Sequence, residues 1–325
     1  MRMVNTVTGP VAAGRLGRVL PHEHFLFGFC GFQGDQTLGG FRRDEYFANS
    51  KQAAADVQSY GIRTVVDATP NECGRNVRYL KEVSEATGLQ IICATGYYYQ
   101  TESAYAYWNF VSAFTNIEDA MYEMMKAEVT QGIEGTDIKA GVIKLASSEG
   151  VITPVEEALF RAAARVQQET GVVIITHTQA GSMGPEQARL LLSCGADPGK
   201  IVIGHMCDNL AMDYQQAVFD QGVFVNFDRF SLDGPLFHSP TNEERMDAVK
   251  ALLDKGYGKQ LLLSHDSVNV LLGRKLPESG PMQTAFLHSN MRGLRDSILP
   301  GLLSRGVTQE QIDQMMIANP ARLFG

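Results

Sequence analysis

Short apolar runs alternate with stretches of helical period along the whole chain. Runs of about four to six residues that are rich in Val and Ile are typical of buried parallel strands, and apolar positions spaced three or four residues apart are typical of the helices that connect them. The pattern predicts strands at 18–22, 64–69, 90–95, 140–144, 172–177, 201–205, 223–228 and 260–265. It predicts helices at 44–59, 75–87, 116–132, 153–170, 184–195, 211–221, 242–256 and 284–304, with a last helix at 308–317.

The residues at the helix boundaries support this alternation. Thr153 can cap a helix that starts at Pro154, and Gly171 and Gly222 stand just before strands, where a helix must end and turn. Eight strand-helix units without a linker rich in Pro, Gly or Ser favour an α/β fold, a closed (β/α)8 TIM barrel, formed by a single domain over residues 1–325. A doubly wound open sheet is the alternative, but no Gly-x-Gly-x-x-Gly follows the first strand.

The composition and charge of the chain limit the kinds of molecule that it could bind. The chain of 325 residues is 44% hydrophobic and 20% charged, with 28 basic and 36 acidic residues, a net charge of -8 and no run of Lys or Arg. This balance argues against nucleic acid as a partner. There is no signal-peptide pattern and no stretch of about 18 apolar residues, so we expect a cytoplasmic protein without a membrane span. Five Cys without a Cys-x-x-Cys pair indicate reduced thiols.

Five of the predicted strands end in side chains with metal-binding chemistry. In a barrel the carboxyl ends of all strands meet at one mouth, so these side chains would become neighbours. Imidazole nitrogens and carboxylate oxygens suit zinc, iron, cobalt and manganese. The sequence therefore predicts two adjacent metal shells at the mouth of the barrel. The endings, in chain order, are His22-Glu23-His24, Lys144, His177, His205 and Asp266.

Lys144 requires its own physical argument, because a protonated amine repels metal ions. A buried amine beside two cations has a depressed pKa, so its neutral form could add carbon dioxide and coordinate as a carbamate. Taken alone, Lys144 would be read as a salt-bridged structural lysine, and His177 or His205 as a core histidine. The complete set of strand-end ligands reverses those interpretations.

Other ionisable residues near the ligands are expected to be structural. Glu23 should lie on the opposite face of its strand and form an ion pair, and His265 should point away from the mouth. His238 and His288 should lie on the surface or on the pocket wall.

These residues resemble the phosphotriesterase family of the amidohydrolase superfamily, and most closely its phosphotriesterase-like lactonase branch. The similarity runs from Leu20-Pro21-His22-Glu23-His24 to Asn319-Pro320-Ala321-Arg322-Leu323-Phe324. The resemblance implies two divalent metals per chain, with zinc expected and iron, cobalt or manganese as alternatives. It also implies a homodimer. Residues 105–110 are a candidate contact, and packing in the pocket or in the core is an equal alternative for them. By motif, the buried metal would be held by His22, His24 and Asp266, the exposed metal by His177 and His205, and both by carbamylated Lys144.

The resemblance also implies a reaction. Two metals about 3.5 to 4 Å apart can share a water and lower its pKa enough to make it a nucleophile at neutral pH, and Asp266 could accept its proton. The lactonase branch has a Thr-Gly-x-Tyr arrangement that points to Tyr98 here, where a phenol could hydrogen-bond the substrate; aromatic packing at the barrel rim is the other interpretation. Residues 226–233 are similar to an Asp-Arg-Tyr-Gly-Leu-Asp run of that branch, which carries over Arg229, although Phe230 and Ser231 depart from it.

The predicted function is therefore lactone hydrolysis. The resemblance implies N-acyl-homoserine lactones and related lactones as substrates, a quorum-quenching reaction, with weak organophosphate triester hydrolysis as a side activity. The apolar loop 267–277 suits an acyl chain, although such a loop could equally fold onto the core. The alternatives are a primary phosphotriesterase, an amidase of the same superfamily and a non-catalytic small-molecule-binding barrel. A barrel that had lost its chemistry would be expected to lack a ligand, and none is missing.

Overall fold

Eight parallel strands form a nearly closed barrel in the computed structural model, which describes residues 2–103, 105–230, 232, 239–276, 279–280 and 290–325. An antiparallel hairpin of β1 (Met3–Thr6) and β2 (Gly9–Ala12) precedes the barrel. The barrel strands pair in chain order, each with the next, so the predicted TIM barrel is confirmed. They are β3 (Arg18–Glu23), β4 (Ile62–Asp67), β5 (Gln90–Gly96), β6 (Val142–Ser147), β7 (Val173–Thr178), β8 (Ile201–Ile203), β9 (Phe224–Phe227) and β10 (Leu261–Leu263).

The barrel closes between β3 and the chain that follows β10. The backbone N–H of Asp266 donates to the carbonyl of His22 (3.1 Å), and the N–H of His24 donates to the carbonyl of Ser267 (2.9 Å). A parallel bridge between His24 and Val268 continues the seam. The first and last predicted ligands, far apart in sequence, are therefore joined through the backbone.

Helices follow the strands in the predicted alternation. Two π-helical segments, Leu294–Ile298 and Gln314–Ala318, lie within the C-terminal helical region. The helix predicted over 284–304 is helical from Leu294, and residues 284–289 of that prediction lie outside the described part of the chain. The described α-helices are α1 (Arg43–Gln58), α2 (Val77–Thr87), α3 (Tyr105–Val111), α4 (Ile117–Thr130), α5 (Pro154–Thr170), α6 (Gly184–Ser193), α7 (Met212–Phe219), α8 (Asn242–Asp254), α9 (Leu299–Ser304), α10 (Gln309–Asp313) and α11 (Asn319–Phe324).

The boundaries of α5 show how local sequence fixes an element. The Thr153 side chain accepts from the Glu156 N–H while Glu156 reaches back to the Thr153 N–H, a capping box with Pro154 at the first helical position. Such a cap stabilises a helix by about 1 kcal/mol. Gly171 ends the helix at φ 64°, a left-handed conformation that glycine adopts without strain.

Alternation along the strands separates two layers of core. Val66, Ile92 and Ile175 pack inside the barrel with Leu262, whereas their neighbours pack outward against the helices. Because successive side chains point to opposite faces of a strand, this alternation decides which strand-end residues face the mouth. In the described part of the chain, no helix is both long enough and apolar enough to span a membrane.

Candidate metal centre and its cleft

The six predicted metal ligands all lie at the carboxyl end of the barrel, and all are buried. They come from three strands and from the segments after three strands. His22 lies in β3 and His24 follows it; Lys144 lies in β6 and His177 in β7; His205 follows β8 and Asp266 follows β10.

Three of these residues form a compact group of donor atoms. One ligand atom each from His22, His205 and Asp266 lies within 4.8 Å of the others. His22 Nε2 is 3.5 Å from Asp266 Oδ1, and His205 Nε2 is 3.7 Å from Asp266 Oδ2. His24 Nε2 lies closer still, 3.1 Å from Asp266 Oδ1. The Asp266 carboxylate is thus the point on which the imidazoles converge.

Asp228, directly after β9, sets the orientation of two of the imidazoles. Its Oδ2 lies 2.7 Å from His22 Nδ1, and its Oδ1 lies 2.9 Å from His205 Nδ1 and accepts the backbone N–H of His205 at 2.8 Å. A carboxylate accepts hydrogen bonds, so both Nδ1 atoms carry the proton and both Nε2 atoms keep a lone pair. Although burial acts to raise it, His205 and His22 hold the pKa of Asp228 below its usual range.

Thr69 orients His24 in the same way. The Thr69 hydroxyl donates to the carbonyl of Leu26 (3.0 Å), so its oxygen accepts from His24 Nδ1 (2.8 Å). His24 Nε2 then presents a lone pair to Asp266 Oδ1. The Nε2 lone pair of His24 and the Asp266 oxygen are both hydrogen-bond acceptors, so they repel each other unless a cation lies beside them.

The chemistry of this group fits divalent metal ions. Three Nε2 lone pairs face one carboxylate, and burial, together with the Lys144 charge, lowers the pKa of His22 to about 3, so that imidazole stays neutral. In the described part of the chain, the cationic groups that reach the cluster are Lys144 and Arg229. Neutral imidazoles with fixed tautomers and a carboxylate are what zinc and related metals bind.

Lys144 contacts the group directly. Its Nζ donates to His22 Nε2 at 2.8 Å, and burial lowers the pKa of Lys144 to about 8 although Asp266 and Asp228 act to raise it. A substantial fraction of this amine is therefore neutral near pH 8. Neutral amine is the form that can react with carbon dioxide.

His177 stands at the edge of the group. Its ring lies 4.4 Å from that of His205, measured between centroids, but its Nε2 is 2.7 Å from Oε1 of Gln179. Gln187 on α6 donates to the His177 carbonyl at 2.8 Å. The ring faces the cleft with the other ligands, and its role as a ligand to the exposed metal stays a prediction.

Two of the ligands have unusual backbone conformations. His205 has φ 56° and Asp266 has φ 55°, in the left-handed region that residues with a Cβ seldom adopt. Such strain persists only where surrounding contacts impose it, and it clusters at functional sites. The backbone bond from His205 to Asp228 and the barrel-closing bond from Asp266 to His22 are contacts of that kind.

A cleft of about 680 Å³, including its open mouth, lies above the ligands. Tyr98 lines it, with its ring edge-on to His177 at 4.9 Å between centroids. Arg229 also lines it, donating from Nε to Asp266 Oδ2 (3.2 Å) and from Nη1 to Asp208 Oδ2 (2.6 Å). The rest of the wall is mainly apolar, with Phe27, Phe29, Pro70, Leu232 and Val268.

The predicted structural roles of Glu23 and His265 are confirmed, and the two residues prove to be partners. Glu23 Oε1 lies 2.7 Å from His265 Nδ1, and both side chains are fully buried on the side away from the cleft. His238 and His288 lie outside the described residues.

Sequence reasoning missed three supporting residues, namely Asp228, Thr69 and Asp208. A signal for Asp228 was present, because it is a carboxylate directly after a strand, the criterion that found the other ligands. Thr69 and Asp208 gave no such signal. Thr69 ends a predicted strand but has no metal-binding side chain, and Asp208 does not end a predicted strand.

Comparison with known proteins agrees with this site. The sequence matches the model of the phosphotriesterase family over residues 2–324. The chain belongs to the phosphotriesterase family. Members of this family are metal-dependent hydrolases with a binuclear centre, and this protein is accordingly a metal-dependent hydrolase.

Its relatives include both lactonases and organophosphate hydrolases. The chain is 52% identical to an organophosphorus hydrolase from Deinococcus radiodurans, with a TM-score of 0.97 over 100% of this chain and 97% of that one. A mutant PTE-like lactonase from the same organism is 52% identical, with a TM-score of 0.96 over 99% of this chain and 100% of that one. An aryldialkylphosphatase from Saccharolobus solfataricus is 32% identical over 95% of both chains. Within the phosphotriesterase family, the chain is thus similar to phosphotriesterase-like lactonases and to organophosphate hydrolases.

Proposed function

We propose that this protein is a binuclear-metal lactonase that hydrolyses N-acyl-homoserine lactones and related lactones, with weak phosphotriester hydrolysis as a side activity. The main support for the proposal is that the metal ligands lie together at the base of a largely apolar cleft. The similarity to a PTE-like lactonase supports it. A lactone with an acyl chain has both an electrophilic carbonyl and an apolar tail, and the cleft offers a complementary surface to each.

The metal ligands in this proposal are His22, His24 and Asp266 for the buried ion, His177 and His205 for the exposed ion, and carbamylated Lys144 between them. Bound divalent ions would supply Lewis acidity, polarising the ester carbonyl and acidifying the attacking water. The pairing of Nε2 lone pairs with the Asp266 carboxylate supports the assignment. The lowered pKa of Lys144 supports the carbamate. Zinc is the proposed metal.

The protein's own side chains would handle protons and orientation. Burial acts to raise the pKa of Asp266, but it lies well below its usual range, and the Arg229 guanidinium that donates to it helps to lower it; Asp266 is therefore a carboxylate that can take the proton of the attacking water. Burial raises the pKa of Tyr98 well above its usual value, so its phenol keeps a proton that it can donate to the lactone carbonyl or to the departing alkoxide. Arg229 would fix the Asp266 carboxylate and add positive charge where the alkoxide develops.

The apolar wall would receive the acyl chain. Phe27, Phe29, Val268 and Leu232 line the opening above the ligands. Phe29 is about half exposed (48%), and a bound acyl chain would cover part of it.

The proposal includes a homodimer. Tyr107, Phe110 and Phe114 on and after α3 expose apolar rings, with Phe114 at 73% exposure and 4.9 Å from Phe110 between centroids. Light scattering after size-exclusion chromatography would test the assembly. Twice the chain mass for the native protein and a single chain mass for Phe110→Glu with Phe114→Glu would support it, and a native monomer would contradict it.

A substrate panel tests the function. The metal-loaded protein would be assayed by proton release on N-acyl-homoserine lactones, simple γ- and δ-lactones, a paraoxon-like triester and an N-acyl amide, and kcat/KM compared across them. The proposal predicts the highest kcat/KM for the acylated lactones. A higher value for the triester or the amide would make the protein a primary phosphotriesterase or an amidase, and metal binding below one equivalent without turnover would indicate a non-catalytic binder.

A further inference from the structure

The loop between β4 and α2 contacts both the metal ligands and the segment that carries Tyr98. This loop, residues 68–76, follows the carboxyl end of β4, and its Pro70 lines the cleft. Thr69 at its start fixes His24, as described above. The next residues, Asn71 and Glu72, reach the chain that leaves β5. The loop therefore links two parts of the site that lie on different strands.

Three hydrogen bonds hold the chain between the end of β5 and Tyr98. The backbone N–H of Asn71 donates to the carbonyl of Gly96 (3.0 Å), and the N–H of Gly96 donates back to Asn71 Oδ1 (3.1 Å). The N–H of Tyr98 donates to Glu72 Oε1 (2.8 Å). Asn71 thus binds both backbone polar groups of Gly96: its main-chain N–H binds the carbonyl, and its side-chain oxygen binds the N–H.

Gly96 is confined from the other side as well. It has φ 117°, and a Cβ built on it would lie 2.0 Å from the carbonyl oxygen of Lys144. The chain therefore passes against the backbone of a proposed metal ligand, at a distance that only glycine permits. Lys144 on one side and Asn71 on the other confine the peptide at Gly96, and the bond from Tyr98 to Glu72 holds the next part of the segment that carries the Tyr98 side chain.

Asn71 is itself held by a buried ion pair. Arg75 Nη1 donates to Asn71 Oδ1 (2.6 Å), and the Arg75 guanidinium binds both carboxylate oxygens of Glu128 on α4 (2.5 and 2.8 Å). Arg75 also donates to the carbonyl of Ala94 in β5 (3.1 Å). A bidentate pair of this kind has a fixed geometry, so the Asn71 side chain is presented to Gly96 in one position.

We propose that Asn71 is a positioning residue for Tyr98. It fixes the Gly96 peptide so that the Tyr98 phenol stands in the cleft beside His177, where it meets the substrate. The proposal rests on the proposed function of Tyr98 as a group that contacts substrate. Asn71 itself does not line the cleft, so it acts through the chain that it holds.

A double-mutant cycle tests this proposal. We would measure kcat/KM for the wild type, Asn71→Ala, Tyr98→Phe and the double variant, on a lactone or, if lactones are not hydrolysed, on a paraoxon-like triester. Asn71→Ala should lower kcat/KM about tenfold in the wild type, mainly through kcat, and less than about twofold in Tyr98→Phe, because residues in one chain of contacts are not additive. Equal losses in both backgrounds, or no loss in the wild type, would overturn the proposal.

Asn116→Ala is the matched control. Asn116 caps α4 by accepting the N–H groups of Glu118 and Asp119, so the same substitution removes backbone contacts that do not involve Gly96. It should lower the melting temperature without changing kcat/KM per folded molecule. Should Asn71→Ala fail to fold, Asn71→Ser replaces it in the cycle, since its shorter side chain also removes the acceptor at Oδ1.

A second readout requires no turnover. In protein labelled with 3-fluorotyrosine, the fluorine resonance that is absent from Tyr98→Phe belongs to Tyr98. That resonance should shift or broaden in Asn71→Ala and stay unchanged in Asn116→Ala. An unchanged resonance in Asn71→Ala would overturn the positioning role even if no substrate of the panel were hydrolysed, so failure of the inference and failure of the proposed function are distinguishable.

Discussion

Glu23 and His265 pair across the seam where the barrel closes. His265 Nε2 accepts the backbone N–H of Leu294 (3.0 Å), so its Nδ1 carries the proton and donates it to Glu23 Oε1 (2.7 Å). Glu23 also accepts from the Ser264 hydroxyl and from the backbone N–H groups of His265 and Ser267. Glu23 separates His22 from His24, and His265 precedes Asp266. One buried pair therefore fixes the spacing between the two ends of the proposed buried metal site.

Replacing Glu23 should loosen that site. In Glu23→Gln the amide cannot accept all four hydrogen bonds, and a buried donor that loses its acceptor typically costs about 1 to 3 kcal/mol. We expect a lower melting temperature and a loss of zinc affinity of about 10- to 100-fold, as for other residues that support metal ligands. Competition with a chelator and thermal unfolding measure the two effects.

Glu157→Gln serves as the comparison for Glu23→Gln. Glu157 pairs with Arg161 on the surface of α5, where both side chains are about half exposed (45% and 44%). Exposed pairs contribute little, so its stability should change by less than about 1 kcal/mol. Equal behaviour of the two variants would mean that the Glu23 and His265 pair does not support the ligands.

Both carboxylate oxygens of Asp228 should be needed for metal binding, because each accepts from a different imidazole. In Asp228→Asn one oxygen becomes an NH2 group, which cannot accept from an Nδ1–H, so either His22 or His205 must change tautomer and turn a protonated Nε2 toward the metal. We expect metal affinity about 10- to 100-fold lower with the fold retained. Isothermal titration of the metal-free protein with zinc measures it, and wild-type affinity would show that Asp228 does not set the tautomers.

Carbamylation of Lys144 should depend on pH and on bicarbonate. The pKa of Lys144 is lowered from 10.5 to about 8, mainly by burial, so the neutral amine increases as pH rises through 8. Recovery of activity by the metal-free protein on addition of metal should therefore need bicarbonate and should be faster at pH 8.5 than at about pH 6.5. ¹³C-labelled bicarbonate should give a carbamate signal that is absent from Lys144→Ala. Recovery that is independent of bicarbonate at both pH values would contradict the carbamate.

Acyl-chain length should affect turnover through the cleft wall. Each buried methylene contributes about 0.8 kcal/mol, or about a fourfold rise in kcat/KM, until the wall is covered. A homologous series of N-acyl-homoserine lactones should show this rise, and Val268→Ser should reduce its slope because Val268 lines the opening. A flat series in the wild type would show that the chain does not lie on this wall.

The sequence was sufficient for the barrel and for the ligand set because both depend on local pattern. Buried parallel strands are continuous apolar runs, so seven of the barrel strands could be placed within about two residues of their observed bounds, and β6 ended three residues beyond its prediction. Ligands at strand ends converge in any closed barrel. The family resemblance then ordered them.

The contacts between distant residues could not be predicted in this way. Glu23 and His265 were each expected to be structural, but their pairing spans 242 positions and depends on where the barrel closes. Asp228 supports His22 across 206 positions. The β1 and β2 hairpin was missed because its strands have only four residues each and β2 begins with Gly9 and Pro10, which are uncommon in strands. The seven-residue helix α3 was missed because aromatic residues, weak helix formers, dominate it, and its buried Trp108 anchors it by tertiary packing.

The most direct test of the central claim is the hydrolysis of an N-acyl-homoserine lactone by zinc-loaded protein, compared with Asp266→Asn. The account predicts stoichiometric proton release and ring opening by the wild type, and a loss of kcat of about 10²- to 10⁴-fold in the variant with the fold retained by circular dichroism. Intact lactone in the presence of fully metal-loaded wild type, or wild-type turnover by Asp266→Asn, would contradict it.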